Sequence, residues 1–588
     1  MQKTKKLLSL LLAALLAIGL VPFGAVTANA AETENGYTYT VANGTATITG
    51  ADSSVVYGDV VIPSTLGGCP VTKIAENAFN YHSTLSSVTI PDSVLTIGDN
   101  AFNYCRSLVK VVLPNGLTEL GNSVFYNCNA LAKINLPENL IKIGNETFAG
   151  CASLSSISFP ESLTEIGDKA FYECSGLVSL KLPTQLTQIN KASFYKCSGL
   201  VSVTFPASLY LIESEAFRGW SSLSSLNLPE GLNNIQSYAF TECSSIISVK
   251  FPSTLKLIGT GAFSCCTNLT SANLPDSVVT VGYAAFELCR SLKTIKLSSS
   301  MSAIAEHTFY DCKTLSAVTI PQNIAKIGEN AFGYCSALRT VSFTDGLNII
   351  GKGAFYACTS LSKIEMPDSV VQLGEDAFRA CTGVKSVKLS NSLPALGNSS
   401  FYGCIGLTDI TIPDSVVSLG ESAFAECTGL KNVILSNNLS SVGRKSFCNC
   451  IGIKSITIPY GVSKIESEAF HGCTALFSVN LPETVTSIEY QSFLDCSALN
   501  TIELPSSVNS VGSNAFSGCS GLSEIIIPSG VTVLNNDVFS GCKGLKNVVI
   551  PDTVTKIDES AFYGCSGLAS VTIPSSVTTV SESAFEYS

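Results

Sequence analysis

Histidine is almost missing from this chain of 588 residues, and its three copies, His82, His307 and His471, fall at three different phases of the repeat described below. Side chains in distant, out-of-phase positions do not converge on a shared metal or an acid–base centre. The sequence has no HExxH, no GxSxG, no phosphate-binding loop and no dinucleotide-binding glycine fingerprint, so the local signatures of the common hydrolases, zinc enzymes and nucleotide enzymes are missing. Ser, Asp and Glu are plentiful but scattered, and their spacing gives no reason to assemble a nucleophile with a base and an orienting acid. The chain reads as non-catalytic, with no cofactor and no metal.

Charge is sparse as well. Charged residues make up 13% of the chain and hydrophobic ones 46%, which excludes a disordered tail and supplies ample surface to bury. The balance of 45 acidic against 34 basic residues gives a formal charge of −11, which argues against binding nucleic acid or another polyanion over the whole surface and leaves local patches open. Beyond the amino-terminal leader, no apolar run is long enough to cross a bilayer. In that leader, Lys3, Lys5 and Lys6 precede an apolar run from Leu7 to Val21, and Ala28-Asn29-Ala30 supplies small residues for a signal peptidase. Residues 1–30 therefore read as an export signal cleaved after Ala30, which places the mature chain outside the cell or on its surface. A retained membrane anchor is the alternative.

What the chain has in abundance is repetition. From Phe79 to Phe585 a Phe stands at every 23rd position without insertion or deletion. Each unit runs small residue, Phe, two variable residues, Cys, two variable, Leu, two variable, Val or Ile, one variable, Ile or Leu, and usually Pro, with further apolar positions three and six residues later. A fixed period of this length predicts a solenoid whose coils each contact only their neighbours. In the unit of Phe102, Val111 and Leu113 are spaced by two, so an extended segment there points both inward and turns Lys110 and Val112 outward. Stacked coils should pair these segments as a short-stranded parallel sheet on one face. Pro stands at 18 of the 22 positions that end the strand, where it removes an amide donor and keeps the rung short. The exceptions, Ser298, Thr344, Ser390 and Ser436, recur every 46 residues, which suggests copying of two-coil blocks. Turns or short 3-10 segments are expected after each Phe, because a 23-residue coil leaves no room for a long helix.

The ends break the pattern. Residues 31–70 contain two alternating runs, Tyr37–Val41 and Thr45–Thr49, joined around Asn43-Gly44, which predicts a hairpin and an amino-terminal cap over the open edge of the array. The solenoid is expected over residues 71–588, and its last unit stops in mid-repeat, which reads as truncation. Twenty of the 23 cysteines occupy the third position after Phe, and equivalent side chains in a stack point in parallel, so a column of inward free thiols acting as small hydrophobes is expected. Trp220, the sole tryptophan, takes a Cys position and reads either as local packing or as a partner-binding anchor.

Two outward strips are candidate contact surfaces. The strand face carries Lys110, Lys133 and Lys363 in one column and Lys181, Lys250, Lys296 and Lys388 in another, with Lys293, Arg339, Lys385, Lys431 and Lys454 before the strand and carboxylates after the Pro. This mildly basic face suits an acidic protein segment or an anionic glycan. Tyr172, Tyr195, Tyr356 and Tyr402 each follow a repeat Phe and form a second, turn-side strip with gaps between its members.

The written unit, AFNYCRSLVKVVLPNGLTELG from Ala101 and AFYGCSGLASVTIPSSVTTVS from Ala561, resembles the BspA-like leucine-rich-repeat family of exported bacterial surface proteins, a variant also found in spirochaetes. It departs from the common leucine-rich pattern in lacking an Asn ladder after the strand, where Pro stands instead. The resemblance covers residues 71–588 and implies a leucine-rich-repeat array in which Phe102, Cys105, Leu108 and Pro114 have scaffold roles only. It also implies adhesion or contact with an extracellular or host protein. A non-catalytic spacer or envelope assembly module is the alternative.

Overall fold

The computed structural model describes residues 30–588, so the export signal read over residues 1–30 lies outside the described residues except for Ala30. The chain divides into two units, Met1–Ser162 and Leu163–Ser588. Among the described residues there is no helix.

In the first unit, β1 (Glu32–Glu34), β2 (Tyr37–Ala42) and β3 (Thr45–Ala51) pair antiparallel, the β2–β3 turn falling at Asn43-Gly44. Both of those residues are left-handed, as a tight hairpin requires. From there the pairing is parallel, except that β5 (Thr65–Leu66) pairs antiparallel with the first residues of β6 (Cys69–Ile74). Strand β3 joins β6, which joins β8 (Thr96–Ile97). A separate ladder runs from β4 (Gly58–Val61) to β7 (Leu85–Thr89) and β9 (Lys110–Val112). Ser87 faces Lys110, Val88 faces Val111 and Thr89 faces Val112, and Lys110 in turn faces Lys133, always one coil on. Val111 is buried while Lys110 and Val112 are exposed, the alternation expected of a strand with one face on the core.

The second unit repeats this coil. Ser179–Lys181 pairs with Ser202–Thr204 in the three-residue ladder, and Gln188–Ile189 pairs with Leu211–Ile212 in a two-residue one. That second ladder is absent from the expectation. Two residues are too few to show a period of two, and its single buried side chain, such as Ile189 or Ile212, reads in the sequence only as an isolated apolar position.

The segment around each Phe consists of turns, not 3-10 helix, and it forms a third set of bonds between coils. The residues two before and two after each Phe are left-handed, as with Asn330 (φ 50°) and Tyr334 (φ 60°) around Phe332. This conformation aims alternate amides along the array: Asn330 donates to Lys352, Phe332 to Ala354 and Tyr334 to Tyr356, at 2.7–2.9 Å. The amides between them close turns within their own coil, Ala331 onto Gly328 and Gly333 onto Asn330. The energetic cost of left-handed residues that carry side chains is offset by satisfying every amide of a buried segment.

Packing follows from this register. The Phe rings lie nearly parallel on one another, 4.8 Å apart for Phe79–Phe102 in the first unit and 5.2 Å for Phe355–Phe378 in the second. The cysteine column is free and buried, as expected, but it is more than small hydrophobic filler. Within each unit the column thiols donate to the carbonyl of the Phe one coil earlier, as Cys105 does to Phe79 and Cys358 to Phe332, both at 3.2 Å. That carbonyl also accepts the amide of its own coil's residue, so both of its lone pairs are used (Cys335 N–H to Phe332, 3.2 Å). The Ser substitutions for Pro have a similar logic. Ser298, Ser390 and Ser436 are fully buried and donate to Val278, Val370 and Val416 at 2.6–2.7 Å. Carboxylate and amide steps also run along the coil corners, with Asp99 accepting from the Asn122 amide at 2.7 Å and Asn122 from the Asn145 amide at 2.9 Å.

Candidate binding surface

The strand-face lysines are where the alternation places them. In the first unit Lys110 and Lys133 occupy facing positions on adjacent rungs, both exposed, and border a groove of about 290 Å³ with Val112 and Asn135. In the second unit Lys181, Lys250, Lys296, Lys363 and Lys388 are all exposed on the three-residue strands. Neighbours reduce the effective charge of two of them: Lys363 pairs with Glu365 at 2.6 Å and Lys296 with Asp276 at 3.4 Å. The Ser299 amide, first of all, and then Lys296 hold the Asp276 carboxyl below its ordinary range. Lys388 stays clear of such a pair and, with Lys385, borders an open groove of about 540 Å³. Its far side is formed by Asp409, Thr411, Asn432 and Ile434. A further groove of about 490 Å³ continues from Asn432 and Ile434 to Ser455 and Thr457.

Ile434 was overlooked in the sequence, although it is 62% exposed on the outward face of its strand. Apolar residues in a mostly polar column, Val112, Ile434, Ile526 and Val549, were the available signal. Ile434 puts an apolar contact next to two cations and a carboxylate, the mixture found at protein contact surfaces.

The tyrosine strip separates into clusters. Tyr172 and Tyr195 stack at 4.5 Å, with the Lys196 ammonium 5.3 Å and the Arg218 guanidinium 5.8 Å from the Tyr195 ring. Tyr402 lies under the Arg379 guanidinium at 4.3 Å. Tyr356 belongs to a longer run in which Tyr283, His307, Tyr310, Tyr334 and Tyr356 follow one another at 4.9–5.4 Å. Tyr334, His307 and Tyr283 stand at other repeat phases than the residue after Phe, so reading one phase alone leaves gaps that the fold closes. Burial raises the phenols of Tyr172 and Tyr310, and a hydrogen bond with Tyr356 raises that of Tyr334, so all three are neutral hydroxyls at physiological pH.

Trp220 is not a surface anchor. It is fully buried, its Nε1–H donates to the Phe194 carbonyl at 2.7 Å, and its ring meets Phe217 edge-on at 4.4 Å. The indole thus makes the bond that a thiol makes in the other coils. The slot selects a donor, which explains how it takes either residue. Among the described residues no group of His, Cys, Asp and Glu is arranged to hold a metal ion, and no helix is long and apolar enough to cross a membrane.

Parallel coils of one length, a short-stranded sheet on one face and turns on the other define a leucine-rich-repeat solenoid. The chain belongs to the BspA type leucine rich repeat region family, which matches overlapping segments that span residues 72–588. Among solved structures it is similar to a leucine-rich repeat protein from Bacteroides ovatus, at 24% identity over 88% of this chain and 100% of that one, TM-score 0.40. A leucine rich cell surface protein from Faecalibacterium prausnitzii matches at 24% identity over 82% and 94% of the two chains, TM-score 0.28. The T. pallidum leucine rich repeat protein matches at 28% identity over 41% and 90%, TM-score 0.24. No curated protein matches the chain.

Proposed function

We propose that this is a secreted or cell-surface adhesion protein that holds an extracellular protein through the three-residue strand face, with no catalytic role. In this reading residues 1–30 direct export, residues 31–70 cap the array and residues 71–588 carry the contact face. The observation that carries it is the open groove where Lys385 and Lys388 face Asp409 and the exposed Ile434. Cation, carboxylate and apolar side chain on a rigid backbone give a partner orientation and desolvated contact area together. Membership of the family and the leader sequence support placement outside the cell.

The test is binding of folded residues 31–588 to panels of extracellular-matrix and plasma proteins at physiological salt. A specific partner should lose at least tenfold in affinity when Lys388→Glu and Ile434→Asp are combined, with circular dichroism unchanged. A uniformly negative panel, or binding indifferent to that pair, contradicts the proposal.

A further inference from the structure

One column at the beginning of the strand face alternates in chemistry from coil to coil. From Thr270 to Lys431 in the second unit the position holds Thr270, Lys293, Ser316, Arg339, Ser362, Lys385, Thr408 and Lys431, a hydroxyl and a cation in succession, and the alternation ends at Lys454, a cation on the very next rung. Their backbones are bonded in two runs, Lys293 donating to Thr270, Ser316 to Lys293, Arg339 to Ser316, Ser362 to Arg339 and Lys385 to Ser362, and beyond a break Lys431 to Thr408, at 2.8–3.3 Å. The four cations therefore project from every second rung, about 10 Å apart, and span about 29 Å from Lys293 to Lys431.

All four are exposed, and none makes an ion pair. This distinguishes them from Lys296 and Lys363, which are paired with Asp276 and Glu365. Asp409, beside Lys431, accepts from the Asn432 side-chain amide and the Thr408 hydroxyl, and these bonds, with the Lys431 charge after them, hold its carboxyl below the ordinary range. The hydroxyls between the cations are held in place. Thr270 donates to Ile247, Ser316 to Lys293 and Ser362 to Arg339, at 3.0–3.4 Å, which leaves their oxygens free to accept. The same coils carry Ser298, Thr344, Ser390 and Ser436 in place of Pro, so the cations share the 46-residue period of those exceptions. The consequence is a row of equal charges at constant pitch, each separated by a hydrogen-bond acceptor.

We propose that this column binds a linear anionic polysaccharide carrying one acidic group per disaccharide. An extended disaccharide advances by the same two rungs, about 10 Å, so its acidic groups meet successive cations while its hydroxyls reach the Ser and Thr between them. A constant pitch over four cations selects a ligand with its own translational repeat, which an ordinary acidic protein segment lacks. Each contact is weak and screened by salt, so affinity comes from engaging several at once. The inference shares with the proposed function the placement of the chain outside the cell and one residue, Lys385.

The test uses residues 31–588 and hyaluronan oligomers of defined length, which carry one carboxylate per disaccharide. Affinity at 50 mM salt should rise at least tenfold from two to four disaccharides, level off beyond, and fall as salt is raised. The decisive variant combines Arg339→Ser with Ser362→Arg, which moves one cation by one rung at constant net charge and should weaken the four-disaccharide oligomer at least fivefold. A single Lys385→Ser substitution should do the same. Equal binding by the shifted variant overturns the proposal, as does no binding at low salt. Tighter binding of polyglutamate with the same number of charges overturns it in favour of an acidic protein segment. Hyaluronan binding with a negative protein panel would remove the protein partner proposed above and leave this inference standing.

Discussion

Alkali should unfold this protein through its cysteine column. Twenty of its thiols are buried. Burial pushes Cys243 and Cys381 up to about 12 and raises Cys197, Cys358 and Cys404 well above the ordinary thiol value. In the unfolded chain the same groups ionise near ~8.5. For an acid whose folded pKa is raised, the unfolded state releases its proton first. The stabilisation is therefore intact below about pH 8 and is lost as pH climbs from ~8.5 toward the folded value. One such thiol costs about 0.4 kcal/mol at its unfolded midpoint and about 1.4 kcal/mol one unit higher. The eight thiols from Cys289 to Cys450 lie in consecutive coils. Together they would remove on the order of 10 kcal/mol at pH 9.5, as much as the whole stability of an ordinary domain.

The assay is urea unfolding followed by circular dichroism at pH 7.5, 8.5 and 9.5 with reductant present. The midpoint should already fall between the first two values, by the roughly 3 kcal/mol that eight thiols lose, and fall further at the third. Lysines and tyrosines also begin to titrate there, so Cys381→Ser isolates the thiol contribution. Serine does not ionise, and the stability gap between variant and parent should close by about 1.4 kcal/mol between pH 7.5 and 9.5. A midpoint unchanged at pH 9.5, or a gap that stays constant, would refute the reasoning.

Three substitutions probe the packing. Phe355→Ala removes a buried ring stacked 5.3 Å from Phe332 and 5.2 Å from Phe378, and should cost about 3–5 kcal/mol in urea unfolding; a loss below about 1 kcal/mol would mean the rings are not the coupling between coils. Cys358→Ala takes one donor from the Phe332 carbonyl and leaves a small void, at about 1–2 kcal/mol, and parent-like stability would show that the thiol bond contributes nothing. Gly346→Ala would set a Cβ on the Gln322 carbonyl oxygen and should lower stability by about 1–3 kcal/mol, checked by thermal unfolding; an unchanged transition would contradict the close approach of those two coils.

Much of the fold was written in the spacing, because a solenoid converts sequence period directly into spatial register. Val111 inward and Lys110 outward follow from a period of two, and the parallel pairing of Lys110 with Lys133 follows from the constant coil length. What escaped depends on atoms that share no sequence phase. The thiol's bond to Phe79 links residues 26 apart, one coil plus three positions, and only the folded turn reveals that the carbonyl is within reach. Trp220 left local packing and a partner anchor both open because its size alone was weighed; its donor group decided for packing. The tyrosine run closed for a comparable reason, since Tyr334 and Tyr356 are one phase apart in sequence and 5.1 Å apart in space. The outward placement of the strand-face lysines was legible, whereas exposed apolar members of the same face such as Ile434 were lost among residues expected to be polar.

The account stands on the cysteine column facing a sealed interior as free donors. Timed alkylation of native protein, read residue by residue by mass spectrometry, tests this directly. Only the partly exposed Cys69, Cys265 and Cys448 should react, Cys448 more slowly because burial lifts its thiol to about 11. The other 20 should react only after denaturation, and then all as free thiols. Rapid labelling anywhere along Cys105 to Cys565 in the column, or disulfides among those residues, would contradict the account.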